Sequence, residues 1–169
     1  FFSYGCPACF NMEGVLENWK SEKPASIEFR RVPVTFGRAP WKVLAKAYYI
    51  GEMLEVLDQT HPLIFARIHV EKRPIRNDME AAEVFAKVGI AKEKYMSLAR
   101  SFGVLSKVRQ AEALTKKYEV GAIGVPAFVI NNKILTSGKM ANSMDILKHI
   151  LSNVTMADFE KDVKSSSGE

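Results

Sequence analysis

The chain has 169 residues, of which 47% are hydrophobic and 25% are charged, and its formal net charge is +5. This length fits one domain, or one domain with a large insertion, and supplies enough apolar residues for a substantial core. No apolar run approaches the roughly 18 residues that a membrane-spanning helix needs. Lys and Arg alternate with Glu along helical segments, which is typical of solvated helix surface and not of a nucleic-acid-binding face.

The chain contains only two cysteines, Cys6 and Cys9, which are separated by Pro7 and Ala8. An aromatic run before them indicates the end of a buried strand, and helical spacing of apolar residues begins at Pro7. Cys6 is therefore predicted at or next to the N-cap of the first helix, where free N–H groups and the helix dipole favour a thiolate. We predict an exposed Cys6 and, one turn later, a buried Cys9 within reach of a disulfide.

Two simpler interpretations of the cysteine pair are less favoured. A four-coordinate structural zinc site needs a second pair of ligands, and the three histidines (His61, His69 and His149) are scattered and are predicted to be surface or capping residues. A purely structural disulfide would close a very small loop and restrain little of the unfolded chain. The pattern therefore favours a redox-active dithiol and predicts no metal site.

The remaining elements follow in chain order. A short strand is predicted over 27–34, with Pro33 at an edge, an end or a bulge. A helical period then continues to about residue 120 and divides into segments at 41–57, 62–70, 81–88 (capped by Asn77 or Asp78 and ended by Gly89), 92–102 and 104–118.

Strand signals return near the C-terminal end of the chain. Residues 126–130 and 133–136 are predicted to form a hairpin around an Asn131–Asn132 turn, because Asn tolerates positive φ. Gly138 ends the second strand, and 144–151 has the spacing of a final amphipathic helix. Strand–helix–strand, a helical block, a hairpin and a helix together predict an α/β thioredoxin fold with an inserted all-helical domain.

Two motifs make this prediction more specific. The sequence FFSYGCPAC at 1–9, followed far downstream by GVPA at 124–127, resembles the DsbA family of thiol:disulfide oxidoreductases over nearly the whole chain. The resemblance implies a discontinuous thioredoxin-like domain at 1–38 and 111–160, an inserted helical domain at 39–110, and a frayed tail at 161–169. Because the chain begins inside an apolar run, we expect part of the first strand and an export signal to precede Phe1.

The resemblance also assigns roles to individual residues. Cys6 matches the nucleophilic cysteine and Cys9 the resolving one, within the active-site motif that Pro7 and Ala8 complete. Pro126 matches a cis-proline beside the dithiol, which would turn the Val125 backbone outward to pair with an extended substrate strand. We expect an apolar substrate surface near Gly5, Pro7, Val125 and Pro126.

One departure from the family pattern concerns the dipeptide between the cysteines. The family commonly has Pro-His, whereas this chain has Pro7-Ala8, so we predict a Cys6 thiol that is acidic but less so than in the Pro-His enzymes. Arg31 is a weak match to a basic residue that, with an acidic residue preceding Phe1, would handle the Cys9 proton.

The function that the resemblance implies is an exported protein dithiol oxidase, which donates its Cys6–Cys9 disulfide to unfolded or extended proteins in the bacterial periplasm. It would be a monomer without a separate cofactor, reoxidised by a DsbB-like quinone-linked membrane partner. Val125 resembles the oxidase branch, while Ala8 leaves a reductase or isomerase open. A non-catalytic chaperone or binding module with this fold also remains open, and a kappa-type glutathione transferase is the most distant alternative.

Overall fold

A computed structural model of the protein describes residues 1–25, 27–130, 132 and 134–137. Its helices are α1 (Pro7–Glu22), α2 (Ala39–Met53), α3 (Leu57–Phe65), a π-helix (Ala66–Val70), α4 (Asp78–Ala86), α5 (Lys92–Ala99), α6 (Phe102–Lys117) and α7 (Val120–Ile123). Its two strands are β1 (Ala127–Ile130) and β2 (Ile134–Ser137).

The aromatic N-terminal segment lies between the 32–34 segment and β1. On one side Phe2 forms a parallel bridge with Pro33, with its N–H donating to the Val32 carbonyl at 3.1 Å. On the other side the Ala127 N–H donates to the Phe1 carbonyl at 3.1 Å. Phe2 is 5% exposed, so the predicted buried strand end is confirmed.

The predicted strand at 27–34 is only partly correct. Pairing is limited to the neighbourhood of Pro33, and residues 27–32 form no regular strand. A proline has no N–H to donate to a ladder, so it is suited to the end of a paired segment. The hairpin is confirmed: β1 and β2 pair antiparallel from Ala127 opposite Ser137 to Ile130 opposite Ile134.

Helix α1 packs against the hairpin through one apolar face. Met12, Leu16 and Trp19 are buried at helical spacing and form a cluster with Ile130 of β1. Burying side chains of this size contributes about 1.5–3 kcal/mol each, so this face fixes the orientation of α1 against β1. The position of the cysteines at the start of α1 follows from that packing.

The helical block is more divided than the sequence pattern predicts. The helix predicted over 41–57 ends at Met53, because Glu55 adopts a left-handed φ of 57° and the chain turns into α3. Asn77 is the N-cap of α4, as predicted, and accepts a hydrogen bond from the Glu80 N–H. Gly89 follows α4 with a φ of 82°, which a glycine adopts without steric cost.

The C-terminal predictions are only partly within the described residues. Asn132 has the expected positive φ of 59°, whereas Asn131, Gly138, the helix at 144–151 and the tail at 161–169 lie outside them. The predicted domain boundary between residues 110 and 111 falls inside α6, and the division into domains stays a prediction. Among the described helices, none is both long and apolar enough to cross a membrane.

Candidate functional site

Cys6 occupies the N-cap of α1, as the sequence predicts. Its backbone is extended, with φ of −101° and ψ of 116°, and Pro7 is the first helical residue. The Cys9 N–H donates to the Cys6 Sγ at 3.4 Å. The Cys6 sulfur thus takes the place of the side-chain oxygen of an ordinary N-cap residue, and it satisfies an N–H group that the helix leaves unpaired.

The two thiols have opposite acidities for one shared reason. The hydrogen bond from the Cys9 thiol stabilises the Cys6 thiolate and, aided by the Cys9 and Ala8 N–H groups, lowers the pKa of Cys6 to about 6 although burial opposes it. The same hydrogen bond and burial raise the pKa of Cys9. Both cysteines are free thiols in the structure. At neutral pH the dithiol therefore carries its negative charge on Cys6.

The prediction that Cys6 is exposed is wrong, because the residue is buried. Cys6 is 8% exposed and Cys9 is 1% exposed. The Val125 carbonyl oxygen lies 3.4 Å from the Cys6 Sγ atom, and the protonated thiol donates a hydrogen bond to it. The Val125 backbone therefore borders the Cys6 sulfur.

The Val125–Pro126 peptide bond is cis, as predicted. Val125 is half-buried and Pro126 is buried, while Gly5 is half-buried and Pro7 is exposed. The predicted substrate-surface residues thus include two, Pro7 and Val125, that lie directly at Cys6. Whether this surface binds substrate stays a prediction.

Trp41 is a neighbour of this site that the sequence analysis did not assign to it. A Cβ at Gly5 would lie 2.6 Å from the Trp41 Nε1 atom, so the indole lies directly on the turn that leads into Cys6. The Arg38 guanidinium lies over the Trp41 ring, 4.8 Å from the ring centroid. The Phe36 ring also packs against Trp41, with 5.7 Å between the two ring centroids. The surface beside Cys6 is therefore aromatic and basic on this side.

Gly5→Ala is expected to destabilise the protein, because its Cβ would overlap the Trp41 indole. Overpacking of this kind costs about 1–3 kcal/mol, measured as a lower urea midpoint. Gly14→Ala is the matched control, since Gly14 is in α1 and nothing lies within 4 Å of its Cβ position. That change should stabilise the helix by about 0.5–1 kcal/mol. Equal effects of the two substitutions would contradict the steric role of Trp41.

Arg31 pairs with two carboxylates of α1 and is not an isolated basic residue. Its guanidinium contacts Glu13 at 2.7 Å and Glu17 at 2.8 Å. Glu13 lies one helical turn after Cys9, and Cys9, Glu13 and Arg31 line one cavity of about 270 Å³. The structure thus places Arg31 at the cavity that Cys9 shares, while its proposed part in proton handling is still a prediction.

A histidine extends this cluster. The His61 Nε2 atom is 3.0 Å from the Glu13 Oε2 atom, and burial tends to raise the pKa of Glu13, but His61 and Arg31 together lower it. His61 is 8% exposed, so the prediction of a surface histidine is wrong for this residue. His69 is half-buried and donates to the Tyr4 carbonyl at 2.7 Å, while His149 lies outside the described residues.

The residues that sequence reasoning missed are Glu13, Trp41 and His61. Glu13 had a usable signal, because it lies four residues after Cys9 on a predicted helix and so shares its face. Trp41 and His61 come from the helical block, and their spacing carries no sign of a contact with the cysteine motif. In the part of the chain that the structure covers, no group of three or more His, Cys, Asp or Glu is placed to hold a metal ion.

The dithiol lies at a helix N-terminus beside a cis-proline, and a helical block separates the cysteine motif from the proline motif in the chain. These features define a thioredoxin-fold dithiol protein with a helical insertion. Comparisons with known proteins agree with this class. The family model of the DSBA-like thioredoxin domain matches residues 41–152, which is more than half of the chain. The chain belongs to the DsbA-like thioredoxin family.

Individual relatives give the extent of the similarity. The thiol:disulfide interchange protein DsbA of Burkholderia cepacia is 34% identical over 144 residues, covering 85% of this chain and 66% of that protein. DsbA of Pseudomonas aeruginosa is 33% identical over 132 residues, covering 78% and 61%. The chain therefore matches less than two thirds of the length of these relatives.

The similarity extends to three-dimensional structure. The crystal structure of Pseudomonas aeruginosa DsbA superposes with a TM-score of 0.82 at 29% identity, covering 99% of this chain and 83% of that one. The predicted fold class, a thioredoxin fold with a helical insertion, is confirmed by this match and by the family model.

Proposed function

We propose that the protein is a thiol:disulfide oxidoreductase that donates its Cys6–Cys9 disulfide to exported proteins during oxidative folding. The observation that carries the proposal is the pair of opposite thiol acidities, with the pKa of Cys6 lowered to about 6 and that of Cys9 raised. A thiol of low pKa is a good leaving group in exchange and is stable when reduced, so its disulfide is oxidising. Family membership supports the same activity.

The reaction has two exchange steps. A substrate thiolate attacks the Cys6 sulfur, the Cys6–Cys9 bond breaks, and Cys9 leaves with the electron pair and takes up a proton. A second substrate thiolate then attacks the substrate sulfur of the mixed disulfide and releases Cys6 as a thiolate. The substrate dithiol loses two electrons and becomes a disulfide, while the enzyme becomes a dithiol.

The proposed roles of the other residues follow from their places around the sulfur. Pro7 and Val125, with Gly5 and Pro126, form the surface for an extended polypeptide substrate. Arg31, paired with Glu13 at the cavity that Cys9 lines, takes part in handling the proton that Cys9 gains when the disulfide is reduced. No separate cofactor is part of the proposal, since the disulfide itself carries the electrons.

The cellular setting belongs to the same proposal. We place the protein as a monomer in the bacterial periplasm, with a DsbB-like quinone-linked membrane oxidase as the partner that restores its disulfide. Unfolded or extended exported proteins are the substrates. These assignments rest on the resemblance to the family and on the oxidising character argued above.

A reductase or isomerase of the same fold is the second candidate, and Ala8 is the observation that favours it. The family's histidine at this position helps stabilise the Cys6 thiolate, and an alanine supplies neither its charge nor its donor. A less stable thiolate makes the disulfide less oxidising. Whether the protein oxidises or reduces its substrates therefore depends on how well the Ala8 and Cys9 N–H donors stabilise the Cys6 thiolate without that histidine.

The redox equilibrium of the dithiol with glutathione tests the proposal. We expect the Cys6–Cys9 disulfide to be more oxidising than glutathione and to oxidise a reduced two-cysteine peptide. Ala8→His should shift the equilibrium further toward the reduced enzyme, and each tenfold change corresponds to about 30 mV. A thioredoxin-like potential would favour the reductase instead, and a disulfide that does not exchange would leave only a binding module.

A further inference from the structure

A buried chain of hydrogen bonds joins the strand before Cys6 to the helix that carries Cys9. The Tyr4 hydroxyl is 2.7 Å from the His61 Nδ1 atom, and the His61 Nε2 atom is 3.0 Å from the Glu13 Oε2 atom. Tyr4 is fully buried. We call these three residues, Tyr4, His61 and Glu13, the histidine bridge.

The chemistry of its two ends determines which atoms carry hydrogen in the histidine bridge. An ionised Glu13 carboxylate only accepts hydrogen bonds, so the His61 Nε2 atom must carry a hydrogen. The Nδ1 atom of neutral His61 then has a free lone pair and accepts from the Tyr4 hydroxyl. Neutral His61 with its hydrogen on Nε2 therefore satisfies both the Glu13 carboxylate and the Tyr4 hydroxyl.

Protonation of His61 would disturb one end and not the other. The Nδ1 atom would become a donor, and the Tyr4 hydroxyl hydrogen would have to turn away from it. The Tyr4 ring is packed against other rings, with the Phe2 centroid at 5.1 Å and the Phe65 centroid at 4.9 Å from that of Tyr4. The Glu13 end would keep its hydrogen bond and gain a charge pair.

Both ends of the histidine bridge lie next to a cysteine. Tyr4 and Gly5 form the turn closed by the Cys6 N–H, which donates to the Ser3 carbonyl at 3.0 Å. Glu13 follows Cys9 by one helical turn on α1. His61 comes from α3 in the helical block, so the bridge ties the block to both segments that carry the dithiol.

The other polar groups that face His61 come from three elements. Arg31, directly before the 32–34 segment, and Glu17 of α1 act on it electrostatically, and Tyr48 of α2 packs its ring with the centroid 6.4 Å from that of His61. Burial lowers the pKa of His61, while Glu13 opposes that effect. His61 is therefore neutral at neutral pH and gains a proton in the acidic range.

We propose that His61 is a positioning residue for the dithiol, which links its own protonation through Tyr4 and Glu13 to the reduction of the Cys6–Cys9 pair. The inference rests on the proposed redox function and deepens it. Neutral His61 holds the Cys6 turn and α1 in one arrangement, and protonated His61 reverses the hydrogen bond at the Tyr4 end, so that the Tyr4 hydroxyl becomes the acceptor. Because linkage is reciprocal, reduction of the pair must change the protonation equilibrium of His61.

NMR titration of the histidine ring signals tests this link in the full chain. The oxidised and reduced states are set with diamide and dithiothreitol, and His61→Gln identifies the His61 signal. We expect the His61 midpoint to differ between the oxidised and the reduced state by about fivefold in the protonation equilibrium, with the difference carried by the Tyr4 hydrogen bond. Tyr4→Phe should remove most of that difference, because it deletes only the hydroxyl.

Tyr48→Phe is the matched control, since it deletes a hydroxyl from a ring that packs on His61 outside the bridge. It should leave the oxidised-to-reduced difference unchanged. Equal midpoints in the two states would overturn the proposal, and so would a difference that persists in Tyr4→Phe, which would indicate a long-range charge effect alone. Thermal unfolding of each variant verifies that it is folded under the titration conditions.

The pH profile of Cys6 alkylation is a second measurement, and a purely structural role of His61 would leave it unchanged. The pH profile of Cys6 alkylation should shift in His61→Gln and not in Tyr48→Phe, whereas unchanged profiles in both would count against the link. The two proposals fail separately. A coupled His61 in a protein that does not oxidise peptides would overturn only the oxidase function, and an uncoupled His61 in an active oxidase would overturn only this inference.

Discussion

Cys6→Ser is expected to abolish disulfide transfer, whereas Cys9→Ser should retain attack at Cys6 and accumulate a stable mixed disulfide. The reason is the division of acidity between the two thiols: Cys6 is the thiolate at the N-cap, with its pKa lowered to about 6, and Cys9 is the buried thiol. Without Cys9, the Cys6 adduct has no internal thiol to resolve it. Mass spectrometry after incubation with a glutathionylated peptide measures both outcomes.

The two variants control for each other, because each removes one sulfur from the same helix. Rapid alkylation by iodoacetamide at mildly acidic pH should persist in Cys9→Ser and be lost in Cys6→Ser. Since Cys9 also donates a hydrogen bond to the Cys6 thiolate, Cys9→Ala, which has no side-chain donor, should raise the alkylation midpoint of Cys6. A mixed disulfide that forms on Cys9 instead would reverse the assigned roles.

The second large effect is a gain in stability of the reduced protein as pH rises from about 6. The pKa of Cys6 is about 6 in the folded protein and about 8.5 for an ordinary thiol in the unfolded chain. Below pH 6 both states are protonated and Cys6 contributes nothing. Between the two values only the folded state has lost its proton, so stability increases, and above about 8.5 the contribution is complete.

We expect this contribution to be on the order of 2 kcal/mol at its maximum, after allowance for solvent screening at the site. Urea unfolding of the reduced protein at several pH values measures it, and the same series on Cys6→Ser isolates the Cys6 part from Glu13 and His61. The Cys6 part is the difference between the two curves. Parallel curves from pH 5 to 9 would show that the folded environment does not stabilise the thiolate.

Local signals were sufficient for the elements that hold the cysteine motif. Pro7 at the first position of α1, Cys6 at its cap and Asn77 at the cap of α4 all depend on neighbours within a few residues, and all three are confirmed. The positive φ of Asn132 has the same origin. The cis bond before Pro126 was expected from the resemblance of its motif to a family and not from local physics.

Predictions failed where the determining contact is distant in the sequence. The pattern at 27–34 alternates as a strand does, but pairing depends on the Phe2 segment, which reaches only Pro33 and its neighbours. Cys6 is covered by the carbonyl of Val125, 119 residues away. Periodicity describes one element at a time and cannot reveal which partner covers a given face.

The sequence by itself therefore determined the dithiol, its place at a helix N-terminus and the family, because these are encoded in short motifs and helix-start chemistry. Only the tertiary structure decided what surrounds the dithiol. Trp41 on Gly5, Arg31 on Glu13, and His61 between Tyr4 and Glu13 are contacts between elements far apart in the chain. Their energies depend on burial and geometry that arise only when the helical block and the segment around Arg31 pack against α1 and the cysteine motif, so no local sequence pattern predicts them.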